Sequence, residues 1–291
     1  MASIRYDHFP DCPWLRLKTC DGMAQATRPH AHDHHCVALV TGGSSVVRFG
    51  GEAHAVGQGQ LVFIGAGFVH QCLPDHVAGW RFRMVQVDAA WASDSGLPVP
   101  VRPCFLVRDL THARRKQLLA CFDALADDTA DPEETVLDIL GQALCADADA
   151  AVALHPPASA PDAMRAIARR LRERPDMPVR LQALAEQART DRFSLIRTFR
   201  AHYGTTPMAW WNMQRLEEAR RMLDAGHPIL DIVHALGFSD QSHFSRLFKA
   251  HAGVSATQYR KSADGRLRHT SCGKRDRMAP TAHSREEGPS R

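Results

Sequence analysis

The chain has 291 residues, which allows one large domain or two ordinary ones, and 44% of them are apolar, enough to build real cores. No apolar run approaches the length of a membrane-spanning helix. The eight cysteines lack close metal-finger spacing, which suits a reduced, cytoplasmic setting. The net charge of +4 is uneven: residues 1–163 carry 12 Lys/Arg against 19 Asp/Glu, and residues 164–291 carry 24 against 13, so only the second half has the balance of a polyanion binder.

The first 90 residues are rich in glycine turns and β-prone runs. "CVALVTGGSSVVRFGG" predicts two strands joined by a turn at Gly42–Gly43. "QLVFIGAGFVH" and "GWRFRMVQVD" each add a strand, and short strands in this number suggest a sandwich or small barrel. The pattern changes near residue 110. "THARRKQLLACFDALADDT" and "PEETVLDILGQALCADADAAVAL" predict helices, the second with Pro132 at its start. They either pack on the strands or form a dimer contact. The proline-rich "HPPASAP" predicts a linker, and residues 164–261 predict an almost wholly helical domain. Residues 262–291 are polar and aperiodic and predict a disordered basic tail.

The helical part repeats itself. "RFSLIRTFRAHYGTTPMAW" begins at Arg192, and "QSHFSRLFKAHAGVSATQY" begins 49 residues later at Gln241. Each copy follows a shorter apolar helix and a tight turn. Thr190/Asp191 and Ser239/Asp240 are placed to cap the next helix. The reading is helix, turn, helix, twice. Leu195, Ile196 and Phe199 in the first copy, and Phe244, Leu247 and Phe248 in the second, form inner faces. The outer faces carry Arg192, Ser194 and Arg197, then Gln241, Ser242, Ser245 and Arg246. Arginine pairs with guanine and glutamine with adenine in the major groove of double-stranded DNA. Arg200 and Lys249, nearer the helix ends, suit phosphate. A long helix from about Met208 to Leu223 joins the units, and Arg215 and Arg220 on it are further candidates for the DNA backbone.

These residues resemble the C-terminal region of the AraC/XylS family of bacterial transcription regulators, most sharply over "PILDIVHALGFSDQSHFSRLFKAHAGVSATQYRK". The resemblance covers about residues 165–261. It implies seven helices with recognition helices at about Asp191–His202 and Asp240–His251. The family's turn glycine matches Gly237, while the first unit has Ala188–Arg189 there.

"RPHAHDHHC" supplies His30, His32, His34 and His35, and His70 follows downstream. In an extended chain His30, His32 and His34 share one side, and imidazoles suit Zn, Fe, Ni or Cu. The same stretches resemble the two motifs of the cupin barrel, with the expected acid missing near Cys36 and Gly65 in place of a proline. Three alternatives stand: His30, His32 and His70 hold a divalent metal, some of them line a metal-free pocket for a small organic effector together with Trp80 and Arg81, or they have no ligand role.

The expected fold is thus α+β in two domains: a cupin-like β-barrel at 1–105 with a helical extension at 106–154, a linker at 155–163, and an all-α pair of helix-turn-helix units at 164–261. The resemblance implies an effector-controlled regulator rather than an enzyme, an activator that contacts RNA polymerase. Dimerisation is expected through helices near 111–127. A cupin-type metalloenzyme with an accessory helical domain, and an architectural DNA binder, are the rival readings.

Overall fold

A computed structural model describes residues 3–23, 25–75, 79–100, 104–144 and 160–264. Most of the expected linker and all of the tail beyond residue 264 lie outside the described residues.

Eight antiparallel strands build the first domain: β1 (Ser3–His8), β2 (Leu15–Met23), β3 (His34–Phe49), β4 (Glu52–Gly57), β5 (Gln60–Ile64), β6 (Gln71–Pro74), β7 (Trp80–Asp88) and β8 (Phe105–Asp109). The main sheet runs β1-β2-β7-β3-β5-β8, and β4 and β6 pair with β3. The expected turn at Gly42–Gly43 does not form. One strand of 16 residues runs straight through it. Its first half pairs with β5 and β7, its second half with β4 and β6. The register on β7 shifts between Val40 and Gly42, and Gly43 has φ +70°. The glycines therefore make a bulge that bends one strand from one layer to the other, where a hairpin turn would have reversed it.

Two apolar cores result. One lies between the layers and holds Val47, Val56, Phe68, Trp80 and Phe82. The other lies between the main sheet and two helices, α2 (His112–Asp127) and α3 (Pro132–Leu144), which follow a short α1 (Ala89–Asp94). Leu118, Phe122 and Leu125 of α2 and Val136, Ile139 and Leu140 of α3 are buried there. The helical extension thus packs on the strands, and its apolar faces are already covered.

The second domain has seven described helices: α4 (Asp162–Glu173), α5 (Leu181–Gln187), α6 (Arg192–Tyr203), α7 (Pro207–Asp224), α8 (Ile229–Ala235), α9 (Gln241–Ala252) and α10 (Ala256–Asp264). The last runs three residues past the expected end at 261. Asp191 caps α6 by accepting from the amides of Phe193 and Ser194, and Asp240 caps α9 through His243. Leu195, Phe199, Phe244 and Phe248 are fully buried. Each contributes roughly 1.5–3 kcal/mol by leaving water. Ile196 and Leu247 are half-buried beside them.

The repeat is not uniform. Four residues, 188–191, join α5 to α6, and five, 236–240, join α8 to α9. Arg189 at φ +52° occupies the left-handed turn position that Gly237 fills at φ +65°. Both amides bond back to the same place in the preceding helix: Arg189 to Glu186 and Gly237 to His234, at 3.0 and 3.1 Å. The first unit keeps the turn geometry without the glycine and carries its strain on an arginine.

Candidate DNA-reading helices and the interdomain histidine cluster

Helices α6 and α9 rest on the sheet domain by their C-terminal ends. Both finish at a glycine in the left-handed conformation, Gly204 and Gly253. A Cβ added to Gly204 would lie 3.4 Å from Val69, and one added to Gly253 would lie 2.5 Å from Ile4. Tyr6 Oη donates to the Ala252 carbonyl at 2.9 Å, and Arg16 pairs with Asp224 at 2.7 Å. The N-terminal halves of both helices are left uncovered, and these are the turns that reach base edges when such helices enter a major groove.

Along those halves Arg192, Arg197, Gln241, Ser242 and Arg246 are exposed, and Ser194 and Ser245 are half-buried. Lys249 is exposed near the end of α9. Arg200 is exposed too, but it lines a cleft of about 400 Å³ between the domains, with Arg48, His70, Gln71 and Gly204. Sequence reasoning missed Phe193. It is 82% exposed on the first turn of α6, where an aromatic ring gains nothing from the core. Its position outside the Leu195/Phe199 stripe was the available signal.

Two arginines leave the list of DNA contacts. Arg215 and Arg220 are both 3% exposed. Arg215 donates to the Leu236 carbonyl at 2.9 Å, and its guanidinium lies 3.8 Å from the Phe238 ring centroid and 4.4 Å from that of Trp211. It fastens α7 to α8. Arg220 pairs with Glu217 and reaches Asp33 and His34 of the first domain at 3.2 and 2.7 Å.

Trp80 and Arg81 do not line one pocket. They are successive residues of β7, so they face opposite sides of the sheet. Trp80 is 4% exposed and packs on Phe82, with its Nε1 lacking a hydrogen-bond partner among the described residues. Arg81 is exposed, with its guanidinium over Gly42.

The histidines do converge. An antiparallel bridge joins His30 to His70, and His30, His32 and His70 offer ligand atoms within 4.8 Å of one another. The cluster does not stop at the first domain. Glu217 of α7 and His251 of α9 complete a second triad with His32 on the same distance limit. Neither residue is suggested by the sequence, since each lies about 185 or more positions from His32 and no local motif contains it.

Burial dominates the electrostatics here. It pushes His34 and His70 down to about 4, and holds His30 and His32 well below the ordinary imidazole range. Burial opposes ionisation of Glu217, but Arg220 and His251 outweigh it and keep the carboxyl well below its usual range. At neutral pH His30, His32, His34 and His70 are therefore neutral imidazoles beside the Glu217 carboxylate and the Arg220 guanidinium.

Two known domains match the chain. Residues 17–144 match an AraC-like ligand binding domain and residues 184–262 a helix-turn-helix domain. The chain belongs to the AraC family. The chain is 39% identical over 87 residues to the transcriptional activator NphR of Rhodococcus sp., covering 30% of this chain and 26% of NphR. It is 35% identical over 89 residues to the regulatory protein ada of Salmonella typhimurium, covering 31% and 25%. It is 34% identical over 84 residues to the activator RhaS of Salmonella arizonae, covering 28% and 30%. This AraC-family chain thus spans less than a third of the length of these curated relatives. The whole architecture is similar to ToxT of Vibrio cholerae O395, with a TM-score of 0.54 at 12% identity over 91% of this chain and 98% of ToxT. An antiparallel sheet domain followed by a helical domain is common to both. No described helix is long and apolar enough to cross a membrane.

Proposed function

We propose that this AraC-family chain is a sequence-specific transcription activator of the cytoplasm, controlled by a small molecule at its first domain. The observation that carries this reading is the placement of α6 and α9: C-terminal ends seated on the sheet domain, polar N-terminal faces open. Arg192, Ser194 and Arg197 read one major-groove segment, and Gln241, Ser242, Ser245 and Arg246 read the next. Phe193 supplies apolar contact, suited to a thymine methyl. Lys249 meets phosphate.

The cleft between the domains is the candidate effector site. Its volume of about 400 Å³ suits a small organic molecule. Arg48 and Arg200 face it from the two domains, which favours a carboxylate. A ToxT structure is described as bound to an unsaturated fatty acid, and a carboxylate ligand of that kind fits the same charge requirement. A ligand held by both arginines binds one domain arrangement better than another, and that difference shifts the DNA-binding state. Pairing of two chains and contact with RNA polymerase complete the reading. A dimer through α2 would use its outer, polar face.

Alanine at Arg197 or Arg246 tests base reading. Binding to the selected duplex should fall by about 1–3 kcal/mol while binding to random duplex barely changes at fixed salt. Equal proportional losses on both would reduce these arginines to phosphate contacts and remove the reading.

A further inference from the structure

We propose that the histidine cluster is a binding site for a divalent first-row transition metal, with His30, His32 and His70 from the sheet domain and Glu217 and His251 from the helical domain as its donors. The metal ties the second recognition helix to the sensor. This goes beyond DNA reading and effector control, and it holds or fails on its own measurements.

The residues fit an ion. His30 Nδ1 meets the Arg28 carbonyl at 2.8 Å, and His70 Nδ1 meets the Phe68 carbonyl at 2.9 Å. A carbonyl only accepts, so each Nδ1 carries the proton and each Nε2 keeps its lone pair for a ligand. Metal-bound histidines are oriented by this kind of second bond. His32 Nδ1 is buried with no hydrogen-bond partner among the described residues, and lies 3.6 Å from Glu217 Oε1. His251 Nε2 meets the same Glu217 oxygen at 2.6 Å. Ring centroids separate His30 from His32, His70 and His251 by 4.8, 4.4 and 5.8 Å, and His32 from His70 and His251 by 5.6 and 5.7 Å. Hydrophobic packing does not favour four imidazoles facing one another around a buried carboxylate. A cation at their centre does.

The donor set selects the ion. Imidazole-rich sites with one carboxylate suit Zn²⁺, Co²⁺ or Fe²⁺, and give calcium or magnesium too few oxygens. Metal–nitrogen bonds of about 2.1 Å bring neighbouring donors of a five-coordinate ion to about 3.0–3.6 Å from each other. The two triads, now spread over as much as 4.8 Å, must draw together to bind. His251 gives up its bond to Glu217 by moving its Nε2 proton to Nδ1 or to water. Metallation therefore pulls α7 and α9 toward the His30–His70 bridge. His251 sits in the last turn of α9, the helix that carries Arg246. The ion thus fixes the seat of a recognition helix while leaving its outer face open.

The full chain, stripped with chelator, is titrated with CoCl₂ and ZnCl₂, with MgCl₂ as the control. One equivalent of Co²⁺ should bind, with the visible absorption of nitrogen and oxygen coordination, and Zn²⁺ should displace it. His251→Gln and Glu217→Gln should each weaken binding at least about tenfold, the loss that follows removal of even an outer-shell partner. His30→Gln should do the same. Hydrogen exchange in the wild-type chain needs no variant: Zn²⁺ should slow the amides of Phe244–Ala252. Absence of Co²⁺ or Zn²⁺ binding to the wild type overturns the site. Binding that survives both helical-domain variants, with α9 exchange unchanged by Zn²⁺, overturns the bridge and confines the ion to the sheet domain.

Discussion

Acidifying the metal-free protein from pH 7 to pH 5 should destabilise it through its buried imidazoles. His70 is 2% exposed, and burial pushes its pKa from 6.5 to about 4. Between those values the unfolded chain binds a proton that the folded chain refuses, so stability falls as the pH drops through this window and levels off below 4. Weighting the two states at pH 7 and pH 5 gives a loss of about 2 kcal/mol for His70 alone. His34, also pushed to about 4 by burial and by Arg220, adds a loss of the same sign, as do His30 and His32. Glu217 does not mask the effect. Its depressed pKa contributes stability that stays whole above its ordinary 4.5 and is lost only as the pH falls further. Urea midpoints at pH 7, 6 and 5 with EDTA present measure the slope, in the wild type and in His70→Gln. The variant should lose about 2 kcal/mol less across the span. A wild-type midpoint that stays put, or a variant with the wild-type slope, would refute the reasoning.

The remaining predictions concern α6 and α9. Phe248→Ala, at a side chain with 0% exposure in the core of the second unit, should cost about 3–5 kcal/mol in chemical denaturation. Phe193→Ala should leave thermal stability unchanged, because the ring is 82% exposed, yet weaken binding to the selected duplex in a gel-shift titration. Asp191→Ala removes the acceptor for two helix amides and should lower stability by about 1 kcal/mol.

Helices α6 and α9 were legible because the 49-residue repeat places matching caps, apolar stripes and polar faces in one line of sequence. Asp191 and Asp240 start their helices where the capping rule puts them. The glycine pair in β3 misled, since Gly42–Gly43 is compatible with a reversing turn or a bulge. Only the partners on both sides of the strand decide between them. Arg215 and Arg220 misled for a related reason. A basic residue on a helix reads as solvated until Trp211, Phe238 and Glu217 are seen to surround it. The opposite facing of Trp80 and Arg81 was there to be read, since strand neighbours alternate. The histidine cluster was half legible. The "RPHAHDHHC" run and His70 announce three donors, but Glu217 and His251 reach them only through the docking of two domains, which no local pattern encodes.

The central claim is that the open faces of α6 and α9 read base sequence. Selection of the full chain against a random duplex library, sequenced after several rounds at fixed salt, tests it most directly. The account predicts enrichment of two short motifs about one helical turn apart, with Arg246→Ala relaxing one of them and Arg197→Ala the other. A library that emerges without sequence preference, whether or not carboxylate effectors are added, would contradict it.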